Sequence, residues 1–177
     1  MTNVRYYMKD GSVTDYPAQI EMTIWNRLAG EGRYDTMKAI VSEDFTATGG
    51  TVIVATGTGF KDALAAAGLA GLYDAPVILT DGKALSAQAK EELERLQPSK
   101  IYVAGGPAAV STHVRSQIFK AVGKMPTRLM GQTSAGTSAE LAEAGAGKWS
   151  DTAIIATNKS FKDALSATPL AYANKMP

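Results

Sequence analysis

Three glycine-bearing runs hold most of the side chains that could do chemistry: Thr56-Gly57-Thr58-Gly59, Thr80-Asp81-Gly82-Lys83 and Gly105-Gly106-Pro107. Each follows an apolar run and precedes a helical pattern. Each would therefore sit at the carboxyl end of a strand, where open parallel sheets bind ligands and exposed N–H groups favour an anion. Asp62 and Asp81 could hold a magnesium ion for phosphoryl or ester hydrolysis, but no third ligand accompanies them. Gly57-Thr58-Gly59-Phe60-Lys61-Asp62 opens like a dinucleotide fingerprint, yet Asp62 takes the third glycine position and would set a carboxylate against phosphate. No Gly-Lys-Ser/Thr follows, so the run is not a P-loop either. His113 is the only histidine and lies two residues from Ser111; residues two apart do not face each other on a helix. No nucleophile, base and orienting group come together, so neither catalysis nor a cofactor is expected. Structural roles account for much of this: parallel sheets need glycine at such turns, and Asp62 in a helix first turn favours the helix dipole.

The 177 residues suffice for one domain, or one and part of another, without any covalent staple. With no cysteine, disulfides, thiolate zinc sites and iron–sulfur clusters are excluded. A net charge of +1 gives no basic face for nucleic acid. No apolar run approaches the roughly 20 residues of a membrane span, and Met1 opens no signal peptide. Alanine is in excess, 29 beside 17 Gly and only 4 Phe, which suits helices packed closely on a sheet.

The chain repeats itself at an offset of 101 residues, which pairs Phe60-Lys61-Asp62-Ala63-Leu64 with Phe161-Lys162-Asp163-Ala164-Leu165. The same register pairs Arg27-Leu28 with Arg128-Leu129, Gly30 with Gly131, Thr36 with Thr137, Ala55-Thr56 with Ala156-Thr157 and Pro76 with Pro177. Unit one spans residues 25–125. Unit two, residues 126–177, covers about half of it, as in a fragment or a protomer completed by association. Lys61, Lys162, Arg27, Arg128 and Arg33 recur at or near the duplicated motifs. Such repetition suits a polymer, to which each unit adds one weak contact, or else describes solvated surface charge.

Val52-Ile53-Val54-Ala55, Val77-Ile78-Leu79 and Ile101-Tyr102-Val103-Ala104 are apolar without alternation, as in strands buried on both faces of a parallel sheet. Helical stripes separate them: Phe60, Leu64, Gly68 and Leu72; Leu85, Ala89, Leu93 and Leu96, capped by Ser86 and supported by a Glu91–Arg95 pair; and Val110, Val114, Ile118 and Val122, between Ser111 and Gly123. A further helix covers about Asp35 to Asp44, and a weak strand about Ile24 to Leu28. The order is that of an α/β fold with a parallel sheet and helices on its faces. Residues 1–24 stand apart as a hairpin turning at Asp10-Gly11, with a linker through Pro17. Ala153-Ile154-Ile155-Ala156 reads as a strand that pairs with unit one or with another chain.

Taken together, Arg27-Leu28-Ala29-Gly30, Arg33-Tyr34-Asp35-Thr36, Ala55-Thr56-Gly57, the Phe60 to Ala66 run, Ala75-Pro76-Val77-Ile78-Leu79-Thr80-Asp81, Leu85-Ser86 and Val103 to Ser111 resemble the type 2 cell-wall-binding repeat of Gram-positive surface proteins. The resemblance covers about 150 residues. It implies a Rossmann-like, Toprim-related fold packed as a threefold cluster. It also implies a secreted, non-catalytic anchor held non-covalently to an anionic secondary wall polymer, with adjacent repeat units or a homo-oligomer as partners. The family's Ile-Leu-Leu motif, linked to anchoring, falls on Val77-Ile78-Leu79. The ligand-contacting set expected on these grounds is Val77, Ile78, Leu79, Thr56, Gly57, Lys61, Asp81, Gly105, Gly106, Arg27 and Arg33. A metal-dependent hydrolase built on Asp62 and Asp81, or a self-assembly module, are the competing readings.

Overall fold

The computed structural model describes residues 3–7, 12–17 and 27–177. Strands β1 (Asn3–Tyr7) and β2 (Val13–Pro17) form the expected antiparallel hairpin, with Asn3 opposite Pro17 and Tyr7 opposite Val13. Its expected turn at Asp10-Gly11 lies outside the described residues. So does most of the weak strand expected over 24–28, whose described end, Arg27 and Leu28, is irregular.

The remainder runs α1 (Arg33–Asp44), β3 (Thr51–Thr56), α2 (Lys61–Ala65), α3 (Ala67–Leu72), β4 (Val77–Thr80), α4 (Ala87–Leu96), β5 (Lys100–Ala104), α5 (Thr112–Val122), β6 (Thr127–Leu129), α6 (Ser134–Glu143) and α7 (Lys162–Asn174). Four parallel strands form one sheet in the order β4-β3-β5-β6. Val52 and Val54 point to one face, where they pack with Met37, Val41, Leu93, Val114 and Ile118 from α1, α4 and α5. Ile53 and Ala55 point to the other, beneath Ala66, Leu69, Ala70 and Leu141. Burial on both faces is why these strands lack alternation. The fold is α/β with helices on both sides of the sheet, as expected. Strand β6, which the register of the repeat places at the start of unit two, completes the sheet of unit one.

The serine caps are present: Ser86 Oγ accepts from Ala89 N and Ser111 Oγ from Val114 N, both at 3.3 Å. The Phe60 to Leu72 stripe forms two short helices, with a break at Ala66. The expected Glu91–Arg95 pair does not form. Glu91 instead meets Lys38 on α1, and Arg95 turns to the buried Glu92, because the neighbouring helix offers Glu91 a cation across the interface.

The 101-residue echo extends to the hydrogen bonds. Gly30 N donates to Thr36 Oγ1 at 3.1 Å, and Gly131 N to Thr137 Oγ1 at 3.2 Å. Thr58 N reaches Thr56 Oγ1, and Lys159 N reaches Thr157 Oγ1, both at 3.2 Å. Ile53 N donates to Pro76 O at 3.1 Å, and Ile154 N to Pro177 O at 3.0 Å. Asp74 and Lys175 share a left-handed backbone, with φ of 49° and 53°.

The two copies differ at their strands. Residues 153–156 form no strand within the single chain and do not pair with the sheet of unit one, the first of the two expected pairings, and Ile155 is 97% exposed. Whereas β3 is held by β4 and β5, this segment has one rung, to Pro177. A lone rung does not offset the entropy of ordering a strand.

Candidate functional site

Strand order reverses between β3 and β5, and such a switch point opens a crevice at the carboxyl ends of the two strands. Thr56, Gly57 and Gly105 converge there, yet the crevice is largely filled by the protein itself. Gly105 has φ +97°, and a Cβ there would lie 2.2 Å from Asp62 Oδ2. The half-buried Asp62 carboxylate, which has no hydrogen-bond partner among the described residues, therefore plugs the opening between the strands. Thr56 is buried, and its Oγ1 lies 2.8 Å from Thr58 Oγ1. Gly57 N donates to Thr80 O at 2.8 Å. A Cβ on Gly57 would strike the Tyr34 ring. Asp81 Oδ1 accepts from Lys83 N at 2.8 Å and Ala84 N at 3.3 Å. Gly106 lies beside the Met130 side chain.

The basic residues divide by role. Arg33 donates to Gly57 O. Arg128, which echoes Arg27, donates to Gly105 O at 2.6 Å and Val110 O at 2.7 Å. Both brace strand-end loops through carbonyl oxygens. Burial, with Arg115 adding to it, lowers the Arg128 pKa. Lys61 and Arg27 are exposed. Sequence reasoning missed Tyr34 and the bracing role of Arg128; the Arg27/Arg128 echo was the available signal for the latter. Burial, then the Asp81 carboxylate, raises the Tyr34 pKa, with Arg33 opposing.

Val77 and Leu79 are half-buried on edge strand β4, whereas Ile78 points inward and is fully buried. Val77, Leu79, Arg33 and Tyr172 line a groove of about 780 Å³ between β4 and α1. A second cavity, of about 530 Å³, lies between α2 and unit two and includes Lys61, Ala167 and Ala171 in its wall. Those alanines echo Ala66 and Ala70, which pack beneath the sheet in unit one. The second cavity thus occupies the place of a packed interior.

Asp62 and Asp81 do not form a metal cage with any third donor: no group of three or more His, Cys, Asp or Glu converges among the described residues. Burial pushes the Asp62 carboxyl above its ordinary 3.8, with Lys61 opposing. The folded chain then holds this proton more tightly than the unfolded chain. Stability therefore falls as pH rises from below 3.8 through the raised folded pKa. Asp62→Asn should remove that loss. In denaturant titrations the variant should gain on the parent between about pH 3 and about pH 7; a constant or shrinking difference would contradict the burial argument.

The sequence profile of the family described as Cell wall binding domain 2 (CWB2) matches residues 27–115 and 128–177. N-acetylmuramoyl-L-alanine amidase LytC of Bacillus subtilis (strain 168) is 30% identical over 168 residues, covering 94% of this chain and 33% of that protein. The Amidase enhancer of the same organism is 30% identical over 156 residues, covering 88% and 21%. Cwp6 from Clostridium difficile superposes with a TM-score of 0.80 at 30% identity, covering 85% of this chain and 24% of the other. Cwp8 from Clostridium difficile gives 0.75 at 27% identity, covering 85% and 26%. The chain thus spans a third or less of each of these proteins.

Proposed function

The chain belongs to the Cell wall binding domain 2 family, and on that premise we propose that it is a non-catalytic module holding a surface protein to an anionic secondary wall polymer without a covalent bond. The observation that carries this reading is the match of the family profile to both copies of the internal repeat. A duplicated unit suits a polymer, because weak contacts made in series multiply. We read the likeness to an amidase as a likeness to its wall-binding part, since the chain spans only 33% of that protein.

Within the module, we assign polymer contact to the β4–α1 groove and to exposed cations. Val77 and Leu79 supply the groove's apolar floor and Arg33 lies at its wall, while Arg27 and Lys61, the latter at the wall of the second cavity, are exposed to meet acidic groups. Ile78, Thr56, Gly57, Asp81, Gly105 and Gly106 act by positioning, as their burial or backbone bonding suits. A second reading, partnership with an adjacent repeat unit or a second copy, is favoured by the exposure of Ile155, Leu165 and Leu170.

Cosedimentation with deproteinated Gram-positive walls tests the anchor. The chain should pellet with intact walls, and salt should reduce the bound fraction. Walls stripped of their acid-labile polymer should retain little. Equal retention on stripped walls, or none on intact ones, would overturn the proposal.

A further inference from the structure

At the amino end of β5, opposite the strand-end loops, two lysines from different copies of the repeat converge on one tyrosine. Lys100 Nζ lies 5.4 Å from the Tyr73 ring centroid and 4.7 Å from that of Tyr102. Lys148 Nζ lies 5.0 Å from the same Tyr73 ring and 3.5 Å from its hydroxyl. The rings of Tyr73 and Tyr102 are 6.1 Å apart. Both lysines are exposed, and neither pairs with a carboxylate among the described residues. Both cations are drawn to the same Tyr73 ring, and like charges brought near one another repel. The tyrosine faces offset part of that cost through cation–π attraction; Lys148 gives one proton to the Tyr73 hydroxyl and Lys100 bonds Tyr102, and each ammonium keeps further protons to donate.

The cluster is assembled by the packing of the copies. Tyr73 follows α3, and Lys100 opens β5 of unit one. Lys148 is carried by the turn after α6, which Trp149 fixes by donating to Ala142 O at 2.7 Å while packing against Leu72 and Gly145. Tyr73 donates to Ala144 O of the same turn at 3.4 Å. The two cations therefore sit on a braced seam.

We propose that Lys100 and Lys148, both held against the Tyr73 ring, form an oxyanion subsite that takes a phosphate or carboxylate group of a glycan polymer. The proposal deepens the wall-anchor reading and rests on it for the identity of the polymer, but the anion site itself can be tested apart. Lys100 and Lys148 would donate charge-assisted hydrogen bonds, which are stronger than neutral ones. Tyr73 directly precedes Asp74, which lines the β4–α1 groove, so one long chain could engage both.

The test uses the whole chain and inorganic phosphate, followed by NMR. Saturable shifts should centre on Tyr73, Lys100 and Lys148. The double variant Lys100→Gln/Lys148→Gln should weaken phosphate binding about tenfold, equal to about 1.4 kcal/mol, and Lys100→Arg/Lys148→Arg should restore it. Shifts spread evenly over the surface lysines, or unchanged affinity in the glutamine variant, would overturn the subsite. Wall retention separates the two claims. Phosphate bound at the cluster by a chain that does not pellet with walls would leave the subsite and remove the anchor. Wall retention that survives both glutamine substitutions with no centred phosphate shifts would do the reverse.

Discussion

Gly71→Ala should destabilise the chain and loosen α7 from unit one. A Cβ at Gly71 would lie 2.0 Å from Tyr172 O and 2.6 Å from Tyr172 Cα, so backbone must retreat from backbone. Gly68 makes the same kind of approach, 2.2 Å from Met176 O. Two effects oppose each other. Alanine favours a helix over glycine by about 1 kcal/mol, whereas overpacking costs about 1–3 kcal/mol and more where backbone must shift. The clash should win by about 2 kcal/mol. The Tyr172 phenol gives a local readout. Burial, with the Asp74 carboxylate adding to it, pushes its pKa up to about 12, and its hydroxyl lies 3.3 Å from Asp74 Oδ1. Once α7 moves away, that pKa should return toward the ordinary 10.0. A raised melting temperature with the phenol unchanged would mean that helix propensity decides and that the seam is not tightly packed.

The second large effect is expected at Glu92, which is 1% exposed on α4. Its carboxylate accepts from Ser42 Oγ at 2.8 Å and from Arg95 Nε at 3.1 Å. Arg95 also donates to Phe45 O at 2.8 Å and Val41 O at 3.3 Å. One buried carboxylate thus locks α4 to α1, the helix that walls the groove. Glu92→Ala would strand Ser42 and leave Arg95 without its anion. Loss of one partner from a buried pair costs about 3–5 kcal/mol, and the partial exposure of Arg95 places this case near about 3 kcal/mol. Glu92→Met, which fills the volume without charge, should fare no worse than Glu92→Ala. Chemical denaturation of the two variants checks both statements; a loss under about 1 kcal/mol for Glu92→Ala, within the range of a surface pair, would contradict the locking role.

Much of the architecture was legible because its causes are local. Val52 to Ala55 lacks alternation, and the strand it forms is covered on both faces. Ser86 and Ser111 are small oxygen-bearing residues placed before apolar stripes, and both cap. The Phe60/Phe161 echo is physical as well as formal: the two rings pack at a tilt of 59° with centroids 5.4 Å apart, so equivalent residues meet across the seam. What was not legible depends on residues distant in sequence. The partner of Arg95 was set by Lys38 on another helix, which draws Glu91 away. Residues 153–156 form no strand although they are apolar, because a strand is set by its neighbours as well as by its own composition. Arg33 and Arg128 donate to carbonyl oxygens 24 and 23 residues away, a bracing role that no local pattern announces. The Lys100–Tyr73–Lys148 cluster joins residues that no spacing rule connects.

The most direct test of the account is titration of the intact chain with the acidic polymer released and purified from Gram-positive walls, read by calorimetry at several salt concentrations. Saturable binding that weakens steadily with added salt, and that a neutral glycan of similar length does not reproduce, is the predicted result. Failure to bind the acidic polymer at low salt, or equal binding to the neutral one, would contradict it.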